Sequence, residues 1–290
     1  MRKIYLLAFM LMWLALFEGQ AQQVTLHVEP AGTLPSMIDA SRIPSITDLK
    51  LTGELNGTDI RLIREMSGAV ENSEIQGNLK ALDLSEARIV SGGEAYYVNE
   101  ISDYDFYTSD DSIGMYMFYR THLSKIILPN GVMSIEFGAF DGCTSLTSID
   151  IPNSVTSIER MAFKNCTSLT SISIPNSVTL IRSSAFSGCS NLKSMYLHSS
   201  NPPTLSSDLG AKELLTIYIP TGSYAAYAAT AWGNYNLVEY DPTDIKGITT
   251  PTHNGVEKYF SIDGRPLPYP CKGVNIIQGT DGKTRKVWIP

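Results

Sequence analysis

Charge is sparse in this 290-residue chain, and positive charge is the scarcer sign. There are 22 Lys and Arg against 29 Asp and Glu, a formal net charge of -7. A nucleic-acid binder presents a basic face and an anionic-lipid binder a polybasic patch, so this balance sets both partners aside. Histidine is equally thin. His27, His122, His198 and His253 fall in four separate segments with no HxxxH or HExxH spacing, so no metallopeptidase helix is encoded. Serine is abundant, yet no GxSxG elbow occurs, and no GxxxxGK(S/T) loop cradles a phosphate. A pair of carboxylates could hydrolyse a glycoside, but the sequence singles out no pair. The expectation is therefore no catalytic residue, no cofactor site, no metal site and no enzymatic activity.

Long apolar runs are missing too, with one exception. Arg2 and Lys3 precede an almost unbroken apolar stretch from Ile4 to Phe17, and Gly19-Gln20-Ala21 supplies small residues where a signal peptidase reads. The run is shorter than the roughly 20 residues a spanning helix needs, so a cleaved secretory signal at 1–21 is expected over a membrane anchor. No Cys follows the cleavage region to carry a lipid. The chain is expected to be secreted or held at the cell surface, with no membrane span once the signal is removed.

What the sequence does have is a period. LSKIILPNGVMSIEFGAFDGCTS from Leu123, LTSIDIPNSVTSIERMAFKNCTS from Leu146 and LTSISIPNSVTLIRSSAFSGCSN from Leu169 align without a gap. Their common frame is L-x-x-I-x-(I/L)-P-x-x-V-x-x-I-x-x-x-A-F-x-x-C. The alternation in I-x-(I/L) is that of a short strand with one buried face. Pro129, Pro152 and Pro175 end the strand because proline cannot donate to a ladder. Val132, Ile135 and the Ala139-Phe140 pair, with their counterparts, close the far side of each coil. One coil cannot bury this face, but stacked coils can. The fold class is a leucine-rich-repeat solenoid: one short parallel β-strand per coil of about 23 residues, a helical or irregular far side, and a small C-terminal β-rich segment.

The frame weakens at both ends, as end coils of a stack do. Leu192, Met195 and Leu197 fit one further strand, and Leu214, Ile217 and Ile219 another, followed by a helix-like stretch from Gly222 to Trp232. Upstream, Leu79, Leu82 and Leu84 fit a strand, Ile113, Met117 and Phe118 its far side, and residues 91–112 form an insert between them. Ile46, Leu49 and Leu51 begin an earlier coil, with a helix from about Asp59 to Met66. The expected organisation is an N-terminal cap at 22–45, the solenoid at 46–240, a linker at 241–255 and a small β module at 256–290. In that module Val274–Ile277 pairs with Lys286–Ile289 across an Asp281-Gly282 turn.

Cys143, Cys166 and Cys189 share one frame position. A ladder points its thiols in one direction, which suits neither convergent metal ligation nor a disulfide. Buried small side chains with an S–H facing a turn carbonyl are expected. Cys271 has no evident mate.

Two surfaces could bind. The outward residue at mid-strand (Ile127, Asp150, Ser173, Tyr196 and Tyr218) forms either a contact strip or an ordinary solvated sheet face. The insert interleaves Tyr96, Tyr97, Tyr104, Phe106 and Tyr107 with carboxylates at Glu94, Glu100, Asp103, Asp105, Asp110 and Asp111. It is a packed surface loop, a partner-binding loop or a cation site, though its spacing is not that of an EF-hand.

The run LTSIDIPNSVTSIERMAFKNCTSL resembles the BspA-like leucine-rich repeats of surface and secreted proteins in Gram-negative anaerobes and some protist parasites. LKLTGELNGTDIRLIREM and NLKALDLSEARIV are similar to the units that precede such repeats. The tail YFSIDGRPLPYPCKGVNIIQGTDGKTRKVWIP is similar to short C-terminal sorting modules. The resemblance implies non-enzymatic adhesion, with an extracellular protein or glycan as partner. A structural component of the cell envelope, docked through the tail, is the other reading.

Overall fold

A computed structural model describes residues 22–69, 77–99, 104–210 and 215–241, together with four C-terminal strands. The expected signal segment, most of the linker, Glu100, Asp103 and Cys271 lie outside the described residues. The chain divides into two compact units. One runs up to Tyr196 and takes in Pro203–Leu215; the other holds Leu197–Pro202 and the chain from Thr216.

The first unit opens with β1 (Gln22–Val28), a short helix α1 (Leu34–Met37), a 3-10 turn (Ala40–Ser45) and β2 (Ile46–Leu55). The segment read as a cap therefore adds a parallel strand of its own, with Leu26 opposite Leu51. Helix α2 (Gly57–Met66) begins in a capping box: Asn56 accepts from Thr58 N, and Asp59 accepts from Asn56 N at 2.9 Å. The reciprocal pair satisfies donors that a helix start leaves open. Asp59 also accepts from Gly32 N and Leu34 N, tying α1 to α2.

Strand β3 (Ala81–Ile89) follows, then β4 (Gly92–Asn99), β5 (Tyr104–Thr108) and β6 (Ser112–Ile113). From here the coils alternate a sheet strand with a two-residue far-side strand. These are β7 (Lys125–Ile127), β8 (Ser134–Ile135), β9 (Ser148–Asp150), β10 (Ser157–Ile158), β11 (Ser171–Ile174), β12 (Leu180–Ile181), β13 (Ser194–Leu197) and β14 (Thr204–Leu205). β1, β2, β3, β7 and β9 form one parallel sheet, and β11 neighbours β13 in the next; β6, β8, β10, β12 and β14 form the second ladder. Register follows the repeat: Leu49, Leu82, Ile126 and Ile149 lie abreast.

A third ladder of single backbone bonds runs down the Ala-Phe side. Phe118 N donates to Ala139 O, Phe140 N to Ala162 O and Phe163 N to Ala185 O. Phe118, Phe140, Phe163 and Phe186 stack nearly parallel at centroid spacings of 5.2–5.3 Å. All four are buried. Cys143 Sγ donates to Phe118 O at 2.9 Å, Cys166 Sγ to Phe140 O at 3.2 Å and Cys189 Sγ to Phe163 O at 2.9 Å. Each thiol thus faces a turn carbonyl, as its frame position predicts, and satisfies a group that burial would otherwise strand. Each coil also turns twice through the left-handed region, at Gly138, Met161 and Ser184 and again at Gly142, Asn165 and Gly188.

In the second unit β15 (Thr216–Pro220) pairs in parallel with β16 (Asn236–Tyr240), joined through α3 (Tyr224–Ala228) and a 3-10 turn (Ala231–Asn234). Trp232 and Tyr227 are buried between them, and the Tyr227 hydroxyl donates to Ser199 O. Four further strands, β17 (Lys258–Ser261), β18 (Pro266–Leu267), β19 (Gly273–Gln278) and β20 (Thr284–Ile289), form an antiparallel sheet in the order β18-β17-β19-β20.

Candidate functional site

The insert is not an irregular loop. β4 and β5 pair antiparallel as a hairpin, with Tyr97 opposite Phe106 and Asn99 opposite Tyr104. The sequence misled here because its carboxylates and glycines read as turn chemistry, while the strand alternation of the aromatics is short and broken by a register shift.

The hairpin is seated on the start of α2. The space a Cβ on Gly57 would need is occupied by the Glu94 carbonyl, 1.9 Å from the ideal Cβ position, so only glycine allows this approach. Glu94 N donates to Thr58 Oγ1, Arg61 pairs with Glu94 at 3.2 Å, and Ser91 N donates to Asp110. Asp111 takes two bonds from Arg88, at 3.0 and 3.2 Å. The described carboxylates that suggested a cation site, Glu94, Asp105, Asp110 and Asp111, are thus separately engaged. Among the described residues no three His, Cys, Asp or Glu side chains converge on one point.

Strand alternation sends the insert's tyrosines different ways. Tyr96 is 3% exposed, and its hydroxyl donates to Met115 O at 2.7 Å. Burial raises its pKa. This corrects the reading of Tyr96 as a contact residue: it is a packing residue that anchors the hairpin. Tyr97, Phe106 and Tyr104 share the other face. Tyr97 and Phe106 lie 5.6 Å apart, nearly parallel, and Tyr104 meets Phe106 at 5.3 Å. Tyr107 is exposed beside Asp105, whose carboxylate accepts from the phenol at 3.4 Å, on the side away from Phe106.

The hairpin face continues onto the coils. Tyr116 lies 5.9 Å from Tyr97, 5.4 Å from Phe106, 5.4 Å from Tyr119 and 5.4 Å from Phe137. Six rings therefore form one connected cluster. Tyr116 sits flat against Gly138, where a Cβ would come within 2.7 Å of its ring. Tyr97 and Tyr116 are half-buried, and burial raises both phenol pKa values. Tyr104, 62% exposed, is the open rim.

Beneath the rings lies Arg64 of α2, 1% exposed. One terminal nitrogen donates to Tyr116 O and Met117 O, both at 2.9 Å, and its guanidinium carbon is 4.8 Å from the Tyr97 ring centre. Burial pulls its pKa down to about 10. Arg120, exposed, stands 5.1 Å over the Tyr119 ring. Alignment of the weak coil on the strong frame carries a signal for these residues: Ile113, Phe118 and Thr121 match Ile135, Phe140 and Cys143. Tyr116, Tyr119 and Arg120 then occupy outward positions held by Gly138, Asp141 and Gly142 in the next coil. Arg64 has no such signal, since nothing local marks a helix arginine as inward.

The other predicted surface is polar. Lys50, Asp83, Ile127 and Asp150 lie abreast on the outward face of the parallel sheet. Lys50 bonds Glu86 at 2.6 Å, which raises the lysine pKa. Asp150 is exposed, and Ser173 and Tyr196 are half-buried. Tyr218 is half-buried on β15 of the second unit, Tyr196 belonging to the first.

Residues 111–225 match the family model described as the BspA type leucine rich repeat region, in six copies. No curated protein matches the chain. Among solved structures, a leucine-rich repeat protein from Bacteroides ovatus is 19% identical, with a TM-score of 0.35 over 75% of this chain and 42% of that one. The Pneumococcal vaccine antigen PcpA is 15% identical, with a TM-score of 0.36 over 69% of this chain and 58% of its own. A leucine rich cell surface protein from Faecalibacterium prausnitzii is 18% identical, with a TM-score of 0.29 over 69% and 56%. The chain spans between 42% and 58% of the length of these proteins.

Proposed function

We propose that this chain, a BspA type leucine-rich-repeat scaffold over residues 111–225, is an exported, non-enzymatic recognition protein that binds an extracellular protein or glycan through the aromatic face of its hairpin. The observation that carries this reading is the six-ring cluster of Tyr97, Tyr104, Phe106, Tyr116, Tyr119 and Phe137. Rings left partly open to water form the kind of surface that binding covers. Aromatic side chains with two rotatable bonds also order cheaply when a partner arrives. The support is rigid: a capped helix, a buried arginine and three backbone ladders hold the rings in place, which reduces the entropy lost on binding.

The test is capture by the full chain from defined extracellular-matrix proteins and glycans, beside Tyr104→Ala and Tyr196→Ala variants whose thermal unfolding matches the native chain. The expected result is a partner retained by native protein and by Tyr196→Ala but released by Tyr104→Ala. Retention by Tyr104→Ala with loss in Tyr196→Ala would move the binding surface to the sheet face and sink the hairpin assignment.

A further inference from the structure

We infer that Asn130 is a site of self-modification: the backbone nitrogen of Gly131 displaces its side-chain amide and converts the residue to an aspartyl or isoaspartyl form. The chemistry needs water alone and is independent of any partner. Asn-Gly occurs in the chain at Asn56-Gly57, Asn130-Gly131 and Asn254-Gly255. The last pair lies outside the described residues. Of the other two, only Asn130-Gly131 leaves the reacting groups free.

The step balances within the chain. A bond forms between Gly131 N and Asn130 Cγ, the Cγ–Nδ2 bond breaks, and ammonia leaves with the proton lost from Gly131 N. Water then opens the cyclic imide at either of its carbonyls. One opening gives an aspartyl residue. The other routes the main chain through the former side chain and lengthens the backbone. Ring closure requires a mobile side chain, a backbone nitrogen not held in a hydrogen bond, and a following residue whose missing Cβ leaves room and conformational freedom.

Asn130-Gly131 meets each requirement. Pro129–Val132 is the turn between β7 and β8, closed by Val132 N donating to Pro129 O at 3.2 Å. Asn130 and Gly131 are its exposed corners. Among the described residues the Asn130 side chain has no hydrogen-bond partner, and Gly131 N donates to none. Asn130 N reaches Ser85 O only at 3.4 Å, so the corner is lightly held. The nearest atom to a Cβ added at Gly131 is Asp111 Oδ1, at 3.7 Å. In the next two coils the same turn carries Asn153-Ser154 and Asn176-Ser177, where a side chain crowds the ring. Each conversion adds a negative charge to a chain of net charge -7, in a turn bordered by Asp111.

The fold closes the competing sites. Asn56 Oδ1 accepts from Thr58 N at 3.0 Å as the cap of α2, and Gly57 is buried against the Glu94 carbonyl. Ring closure there would open the helix cap and unseat the hairpin. Asp141-Gly142 could close a similar ring with loss of water. Asp141, however, is buried and bonded to Asn165, and Gly142 N donates to Lys164 O at 2.8 Å.

Peptide mapping by mass spectrometry tests this on the full chain, held folded at mildly alkaline pH and sampled over time. Conversion at Asn130 is expected roughly tenfold faster than at Asn56, the factor that about 1.4 kcal/mol of cap opening sets. Asn153 and Asn176 should remain amides over the same period. In urea, with the fold removed, Asn56 and Asn130 should convert at equal rates. Gly131→Ser should slow Asn130 to the rate of Asn153 and leave thermal unfolding unchanged. Conversion at Asn130 no faster than at Asn56 or Asn153 in the folded chain, or unaltered by Gly131→Ser, overturns the inference. Asn56 staying slow in urea also overturns it, because local sequence and not the fold would then choose the site.

Discussion

The guanidinium of Arg64 lies 4.8 Å below the ring of Tyr97 while donating to the backbone of Tyr116 and Met117. One side chain thus joins the helix of an early coil, the hairpin inserted after it and the first far-side turn of the repeat. The charge is balanced by carbonyl dipoles and a π-face, an arrangement that is adequate only while every partner stays in place. Arg64→Ala should lower unfolding free energy by about 3–5 kcal/mol, because it strands two inward carbonyls and removes the support of the ring cluster. Urea unfolding measures the loss. Near-ultraviolet dichroism should show the tyrosine cluster disordered even where the phenylalanine ladder persists. A loss below about 1 kcal/mol would mean that water replaces the guanidinium freely.

The phenylalanine ladder supports a second prediction. Phe163 stacks between Phe140 and Phe186 at 5.2 Å on each side and is fully buried. Phe163→Ala should cost about 3–5 kcal/mol, and Phe163→Leu less than about 2 kcal/mol, because leucine fills most of the volume. Equal effects of the two substitutions in urea titrations would show that the stack contributes through ring geometry more than through filled space.

The repeat places glycine and non-glycine residues at one backbone conformation, which makes strain measurable. Gly188 has φ of +76°, and a Cβ there would lie 2.3 Å from Asn165 Oδ1. Gly188→Ala should destabilise by about 1–2 kcal/mol from the left-handed backbone, with the clash adding to it. Met161 occupies the equivalent of Gly138 at φ +59°. Met161→Gly should recover up to about 1 kcal/mol of that strain, partly offset by the freer unfolded chain. Shifts of opposite sign in the urea midpoint are the expected outcome.

Much of this architecture was legible in sequence because it repeats. Proline ends each strand, the Leu, Ile, Val and Phe positions recur every coil, and each recurring buried Cys donates to a turn carbonyl. Helix α2 was legible from about Asp59 to Met66, and it begins two residues earlier, at Gly57, behind the Asn56 cap. The hairpin escaped because it occurs once, so nothing averages out its turn-like carboxylates. Tyr96 and Tyr97 are adjacent and chemically identical, yet one is buried and the other half-open. Only the strand's register decides which, and register depends on the packing of Gly57 against Glu94. Arg64 escaped for the same reason: its partners are carbonyls more than 50 residues away, and a carbonyl leaves no mark in composition.

The buried thiols fix how the fold meets alkaline solution. Burial pushes the Cys143 pKa from 9.0 up to about 12. Cys166 is raised well above 9.0, first by its contact with Cys189 and then by burial. The folded state therefore holds protons that the unfolded chain releases above pH 9. Where the native state binds more protons, stability falls as pH rises. For Cys143 the contribution is fully present below pH 9 and drains away between pH 9 and about 12, at about 1.4 kcal/mol per pH unit, and Cys166 acts in the same direction. Tyr96 and Tyr227, whose pKa values burial also raises, act in the same direction at the upper end of that window. Cys143→Ser keeps a donor for Phe118 O, as the neighbouring Thr121 already provides at 3.0 Å, and removes one titrating group. Its stability between pH 9 and 11, read from urea midpoints, should fall less steeply than that of the native chain by about 1.4 kcal/mol per pH unit. Parallel slopes for the two proteins would show that Cys143 ionises as easily folded as unfolded, which a buried thiol bonded to a carbonyl does not do.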